Sequence, residues 1–279
     1  MKNLTIIFFL CMSVASFSQA NFQGKAVYQS KTTMSTDFGG RQMSEERKKQ
    51  IMQRMKSMLE KTFVLSFTRE ESIYKEEEKL AAPTTGGRGS RFGGFSGGGT
   101  KYKNVKEGVL LESTEFFGKN FLISEAAKKP NWELGSETRQ IGNYTCYKAT
   151  LVKENDAFDW RSMRRPRRDV AKEDSTKVEK ESPKQTLVTA WYTPQIPVSN
   201  GPGNYWGLPG LILEINEGRT TILCSEITMN PSEKIEIEKP EKGKKVTREE
   251  YTKMMKEKME EMRDRFRGGR RGGGRGGRF

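Results

Sequence analysis

Apolar positions along this chain recur mostly with a period of two, in short runs broken by Gly, Pro and Asn. That pattern is the signature of half-buried strands. It predicts strands over 24–34, 62–68, 71–80, 102–106, 109–117, 121–124, 132–141, 144–152, 185–193, 211–217 and 220–229. A turn at 216–219, containing Gly218, should join the last two as a hairpin. Two stretches change to helical spacing. Over 44–61, Ile51, Met55, Met58 and Leu59 form one stripe behind a Ser44 cap, with Glu45 and Glu46 in the first turn. Over 247–267, Thr247 and Glu250 have capping-box spacing ahead of Tyr251, Met254, Met255, Met259 and Met262.

Strands that follow one another with little helix between them exclude a parallel βαβ architecture. The pattern predicts an α+β or mainly β fold, a twisted antiparallel sheet or partial barrel. The first helix is expected to pack on the sheet, and a second helix to lie near the C-terminus. Three segments carry no apolar period and are read as lying outside the core: a Gly-rich loop at 83–100, a charged insertion at 153–184 and an Arg/Gly tail at 268–279. The domain therefore spans 19–235, followed by a linker and helix at 236–267.

The first 18 residues read as a secretory signal peptide. Lys2 is the basic start, residues 4–15 are apolar but short for a bilayer span, and small residues follow. Export is the expectation, to the periplasm or the outer membrane.

Composition changes the picture in two ways. Histidine is absent, which removes the commonest general base and metal ligand together; no enzyme activity and no cofactor are expected. The net charge of +14 favours anionic partners. In the tail, Arg265, Arg267, Arg270, Arg271, Arg275 and Arg278 are read as a contact for an anionic membrane surface; nucleic acid is not expected outside the cytoplasm.

The most informative stretch runs from Trp191 and Tyr192 through Ile196, Pro197, Gly201 and Pro202 to Gly207, Leu208, Pro209, Gly210, Leu211 and Ile212. Leu208-Pro209-Gly210-Leu211 has the composition of a type II turn, with Gly210 at the position of positive φ. The prolines cannot donate to a ladder, so the segment belongs at an edge or crossing a sheet end. These residues, with Gly142-Asn143-Tyr144-Thr145-Cys146-Tyr147-Lys148-Ala149, resemble the GLPGLI family of exported Bacteroidetes proteins. The resemblance implies an envelope location and supplies no chemistry, because the family has no established activity.

Two further groups carry candidate chemistry. Cys146 and Cys224 are either one disulfide or two buried thiols. Met52, Met55 and Met58, with Met255, Met259 and Met262, are either the packed faces of two helices or soft ligands for copper. The leading expectation is a non-enzymatic envelope protein with a binding or docking role, and the alternative is a methionine-based copper binder.

Overall fold

The computed structural model describes residues 22–33, 44–77, 99–154 and 185–269. The signal-peptide segment, the Gly-rich stretch up to residue 98, the insertion from 155 to 184 and the tail from 270 onward lie outside the described residues.

The fold is mainly β. Its strands are β1 (Gln23–Thr32), β2 (Glu60–Thr68), β3 (Glu71–Glu76), β4 (Thr100–Asn104), β5 (Val109–Phe116), β6 (Lys119–Ala126), β7 (Glu133–Ile141), β8 (Tyr144–Glu154), β9 (Gln185–Thr193), β10 (Leu211–Glu217), β11 (Thr220–Met229) and β12 (Lys244–Val246). Two helices complete the described residues: α1 (Glu45–Leu59) and α2 (Arg248–Gly269).

All twelve strands form one open sheet in the order β12-β6-β5-β4-β3-β2-β1-β11-β10-β9-β8-β7. Strands β2 to β6 form one antiparallel meander and β7 to β11 another, and β1 joins them by pairing with β2 on one side and β11 on the other. The exception to antiparallel pairing is β12, which runs parallel to β6, Val246 opposite Ile123. It lies inside the stretch read as a linker. Thr100, read as the end of the Gly-rich loop, already pairs with Ser113 as the first residue of β4.

Local chemistry explains the element ends. Gly218 at φ +57 turns β10 into β11, with Glu217 opposite Thr220. The Ser44 side chain accepts from the amide of Arg47 at 3.4 Å. Glu45 and Glu46 complement the dipole behind it. α1 gives way to β2 at Glu60 with no intervening loop, so residues 60 and 61, read as helical, are strand. At α2 the capping box closes reciprocally: the Thr247 amide donates to Glu250 at 2.9 Å and the Glu250 amide to the Thr247 hydroxyl at 3.2 Å.

The main core sits at the junction of the two meanders. Ala26, Tyr28, Leu65, Phe67, Trp191, Leu211 and Leu213 are buried together there. The Tyr28 hydroxyl donates to the Ile212 carbonyl at 2.7 Å inside it, which satisfies an otherwise costly buried polar group. A second cluster joins Ala149, Val188, Ala190 and Tyr192 to Tyr205 and Leu208, which come from the long β9–β10 connection. No helix among the described residues is long and apolar enough to cross a membrane.

Candidate functional site

The β9–β10 connection, residues 194–210, is a strap laid across the sheet. Short backbone bonds fold it locally: Val198 amide to Ile196 carbonyl at 2.8 Å, Tyr205 to Pro202 at 3.1 Å, and Ile212 to Asn200 at 3.0 Å. Its side chains then reach across the junction. Asn200, 1% exposed, donates to the Thr68 carbonyl at 3.3 Å and accepts from the Ser72 hydroxyl at 3.1 Å. Asn204 accepts from Lys101 at 3.1 Å, and the Trp206 ring lies 5.5 Å from the Lys103 ammonium. Strands β9 and β10 are thus tied to β2, β3 and β4 over the two strands between them.

Most motif residues serve this strap or its seat. Trp191, Tyr192, Ile196, Gly201, Pro202, Gly207, Leu208, Gly210, Leu211 and Ile212 are buried, whereas Pro197 and Pro209 are exposed. The guanidinium of Arg139 covers the Trp191 ring at 4.3 Å, and Tyr192 faces Tyr147 at 6.1 Å.

The glycine chemistry differs from the type II reading. Gly210 does not have positive φ; Gly207 does, at +95°. Gly210 is required for another reason. A Cβ there would stand 2.1 Å from the Thr193 carbonyl oxygen and 2.8 Å from the Pro194 nitrogen, so the two ends of the strap cross in backbone contact. Composition alone cannot separate a glycine chosen for φ from one chosen for close approach.

Two concavities flank the strap. The larger is an open groove of about 750 Å³ between the motif turn and the segment leading into β7. Pro197, Val198, Leu208 and Pro209 form one wall, and Pro130, Trp132 and Leu134 the other. Trp132 is fixed by donating to the Trp206 carbonyl at 2.8 Å. Leu134, 62% exposed, projects beside it at the start of β7, the outermost strand of this end of the sheet.

The smaller is a cavity of about 20 Å³ under the strap, lined by Ser72, Tyr74, Lys101, Lys103, Glu112, Glu125, Asn204 and Arg248 among others. Lys103 is 5% exposed, and burial pushes its amine down to about 7. Burial likewise lowers Lys101, with Arg248 and Lys153 acting in the same direction and Glu112 and Glu125 against it. Arg248 engages both carboxylates, donating to Glu112 at 2.6 Å and to Glu125 at 2.9 Å. Tyr205 of the strap donates to Glu217 at 2.7 Å, Lys153 pairs with the same carboxylate at 2.8 Å, and both charged groups act on Lys101.

The two cysteines share the main core cluster, and the other candidates are dispersed. Cys146 and Cys224 are free thiols, directed at the Tyr144 and Glu226 carbonyls of their own strands; burial pushes them up to about 11 and about 12. Met255 packs with Tyr251 and Met254 on Phe116, Phe121 and Val246. α1 contacts β1 and β2 while α2 contacts β6, and β3, β4 and β5 lie between. Met52 is exposed and Met55 half-buried; the Met58 side chain lies outside the described residues. Met259 and Met262 are half-buried. Arg265 and Arg267 fall within α2, which takes in Gly268 and Gly269 of the expected tail; Arg270, Arg271, Arg275 and Arg278 lie outside the described residues.

Sequence reasoning gave no role to Lys103, Trp132 or Asn200. Asn200 lies inside the motif stretch, and Lys103 and Trp132 lie within the strands expected over 102–106 and 132–141.

A family model described as a protein of unknown function (Porph_ging) matches residues 132–214. The match begins at Trp132, ends in β10 and takes in the whole strap; it fits a Bacteroidetes-type family. Two solved chains, of PNGF-II in the C2 and P21 space groups, are similar at 12% identity with TM-scores of 0.47 and 0.46. The matches cover 84% of this chain, which spans about a third of the length of those proteins, 32% and 33%. No curated protein matches the chain.

Proposed function

We propose that this chain is a non-enzymatic docking protein of the bacterial cell envelope, of GLPGLI type, and that it receives an extended segment of a partner polypeptide in the groove beside the motif turn. The observation that carries this reading is the continuity of the groove with the outer strand β7. The groove offers apolar walls from Trp132, Leu134, Pro197 and Pro209. Among the described residues, β7 offers an unpaired outer backbone edge nine residues long, leading away from it. An extended peptide uses both together: ladder hydrogen bonds along the edge, and side chains placed in the pocket. The edge is also guarded. Its register shifts between Leu134 and Thr138, and Glu137 and Arg139 are held in ion pairs with Lys148 and Glu214. Such features discourage indiscriminate strand pairing and leave the pocket to choose the partner.

The reading has a direct test. A photo-crosslinking amino acid at position 134 of the full chain, in intact envelopes, should capture a discrete partner. The same group at position 187, an exposed position on β9, should not. Amides of β7 should become protected from exchange in the captured complex. Equal capture from both positions, or no protection in β7, would refute the groove as the contact. The basic tail adds charge attraction to an anionic surface.

A further inference from the structure

The small cavity under the strap has a charge pattern that packing alone does not explain. Residues two apart on a strand share a face, so Lys101 and Lys103 both point beneath the strap. Register places Lys101 between Tyr74 and Glu112, and Lys103 between Ser72 and Leu110. The charged and titratable groups lining this cavity are Tyr74 from β3, Lys101, Tyr102 and Lys103 from β4, Glu112 from β5, Glu125 from β6 and Arg248 from α2; Lys153 and Glu217, paired with each other, also act on Lys101, the strap adds the neutral Asn204, and the Trp206 ring lies against Lys103. Arg248 occupies both carboxylates. Neither lysine forms an ion pair among the described residues. Three cations thus stand against two carboxylates, and the one left over is on the most buried side chain of the set.

An ammonium held at 5% exposure without a counter-charge is costly, and a protein can avoid the cost by placing any apolar residue there. The Trp206 face compensates in part. A single negative charge would compensate fully.

We propose that this cavity is a binding site for a small monocarboxylate, held by the ammonium groups of Lys103 and Lys101 beneath Trp206 and Asn204. The charge balance asks for one negative charge. The space, about 20 Å³, admits a group of about the size of a water molecule, so one carboxylate oxygen enters it and the rest of the ligand stays at the mouth; the single charge, and not the size, favours carboxylate over phosphate. Asn204 accepts from Lys101 through its Oδ1, leaving its Nδ2 as a further donor at the mouth. Binding requires protonated Lys103, so the site takes up a proton when it fills at alkaline pH. This site is separate from the groove, and either can fail without the other.

The experiment titrates the full-length protein with sodium acetate at constant ionic strength, following tryptophan fluorescence and the melting midpoint between pH 5.5 and 9. The expected response is saturable. Its apparent affinity should be flat below about pH 7 and fall about tenfold per pH unit above it, the slope for one linked proton. Lys103→Met should abolish the saturable response while remaining folded by circular dichroism. Lys101→Met should weaken it and leave the break in pH where it was. A non-saturable or pH-independent response in the unaltered protein would overturn the proposal, as would acetate binding that survives Lys103→Met. Saturation by inorganic phosphate under conditions where acetate has no effect would overturn the choice of carboxylate.

Discussion

Replacing Lys103 with Met in the unliganded protein is expected to stabilise it near neutral pH, and to do so less at pH 10. Burial holds the Lys103 amine at about 7 against 10.5 for a free lysine. The folded state therefore binds this proton more weakly than the unfolded chain. The resulting penalty is fully present below about pH 7 and fades as pH rises towards 10.5. Each pH unit between those values corresponds to about 1.4 kcal/mol, so the penalty is about 4 kcal/mol at pH 7 and below about 1 kcal/mol at pH 10. Methionine has similar length, can pack against Leu110 and Trp206, and carries no charge. It gives up the contact of the ammonium with the Trp206 ring, worth about 1–2 kcal/mol when desolvated. The expected net gain is about 2–3 kcal/mol at pH 7, shrinking to below about 1 kcal/mol at pH 10, where the neutral amine has no cation–π contact to lose. Urea unfolding of both proteins at the two pH values measures it. A variant less stable at pH 7, or a difference of the same size at both pH values, would show that the Lys103 amine is not a buried, unpaired charge.

Gly210→Ala should cost more than about 3 kcal/mol, because the obstruction is the Thr193–Pro194 backbone, which has no rotamer to give way. Gly203→Ala should cost only about 1–2 kcal/mol: its φ is +60°, but nothing lies within 4 Å of the added carbon. Equal losses of melting midpoint in those two variants would contradict the crossing of the strap ends. Cys146 and Cys224 should resist thiol reagents at pH 8 in the native protein and both react in urea, as read by peptide mapping; a mapped Cys146–Cys224 bridge in protein recovered from the envelope would show the disulfide instead. Deleting residues 270–279 should reduce binding to anionic vesicles at low salt, with the difference gone by about 0.5 M salt; vesicle binding unaffected by the deletion would assign the attraction elsewhere.

The strands were legible because the two-residue period and the glycine turns acted together. Residues 185–193, 211–217 and 220–229 are strands with the bounds their pattern predicted. β12 was not legible: Lys244-Lys245-Val246 is too short to show a period, and its pairing depends on β6, more than a hundred residues earlier. The motif announced its importance but misled about its geometry, since Gly207 takes the positive φ and Gly210 the close approach. Lys103 was hidden for a different reason. In Thr100–Asn104 the alternation suggests that Tyr102 faces the core and the lysines face water. A strap arriving a hundred residues later buries the second face as well, and that is a tertiary event with no local trace.

The position of β1 governs how this chain can reach its fold. Its partner on one side, β2, follows within a few tens of residues, but the other side waits for β11: Thr32 meets Thr220 across 188 residues, and Gln23 meets Asn230 across 207. During synthesis or refolding, the first meander can close while β1 keeps one bare row of amides and carbonyls. Until β11 arrives, any other strand can template on that row, including β11 of a neighbouring copy. Closing so long a loop makes the last step slow. Competition from neighbours rises with concentration. Refolding yield should therefore fall as protein concentration rises, with strand-exchanged dimers as the characteristic by-product. A chain built this way gains from a holdase that shields one edge for the time the ribosome needs to finish the sheet.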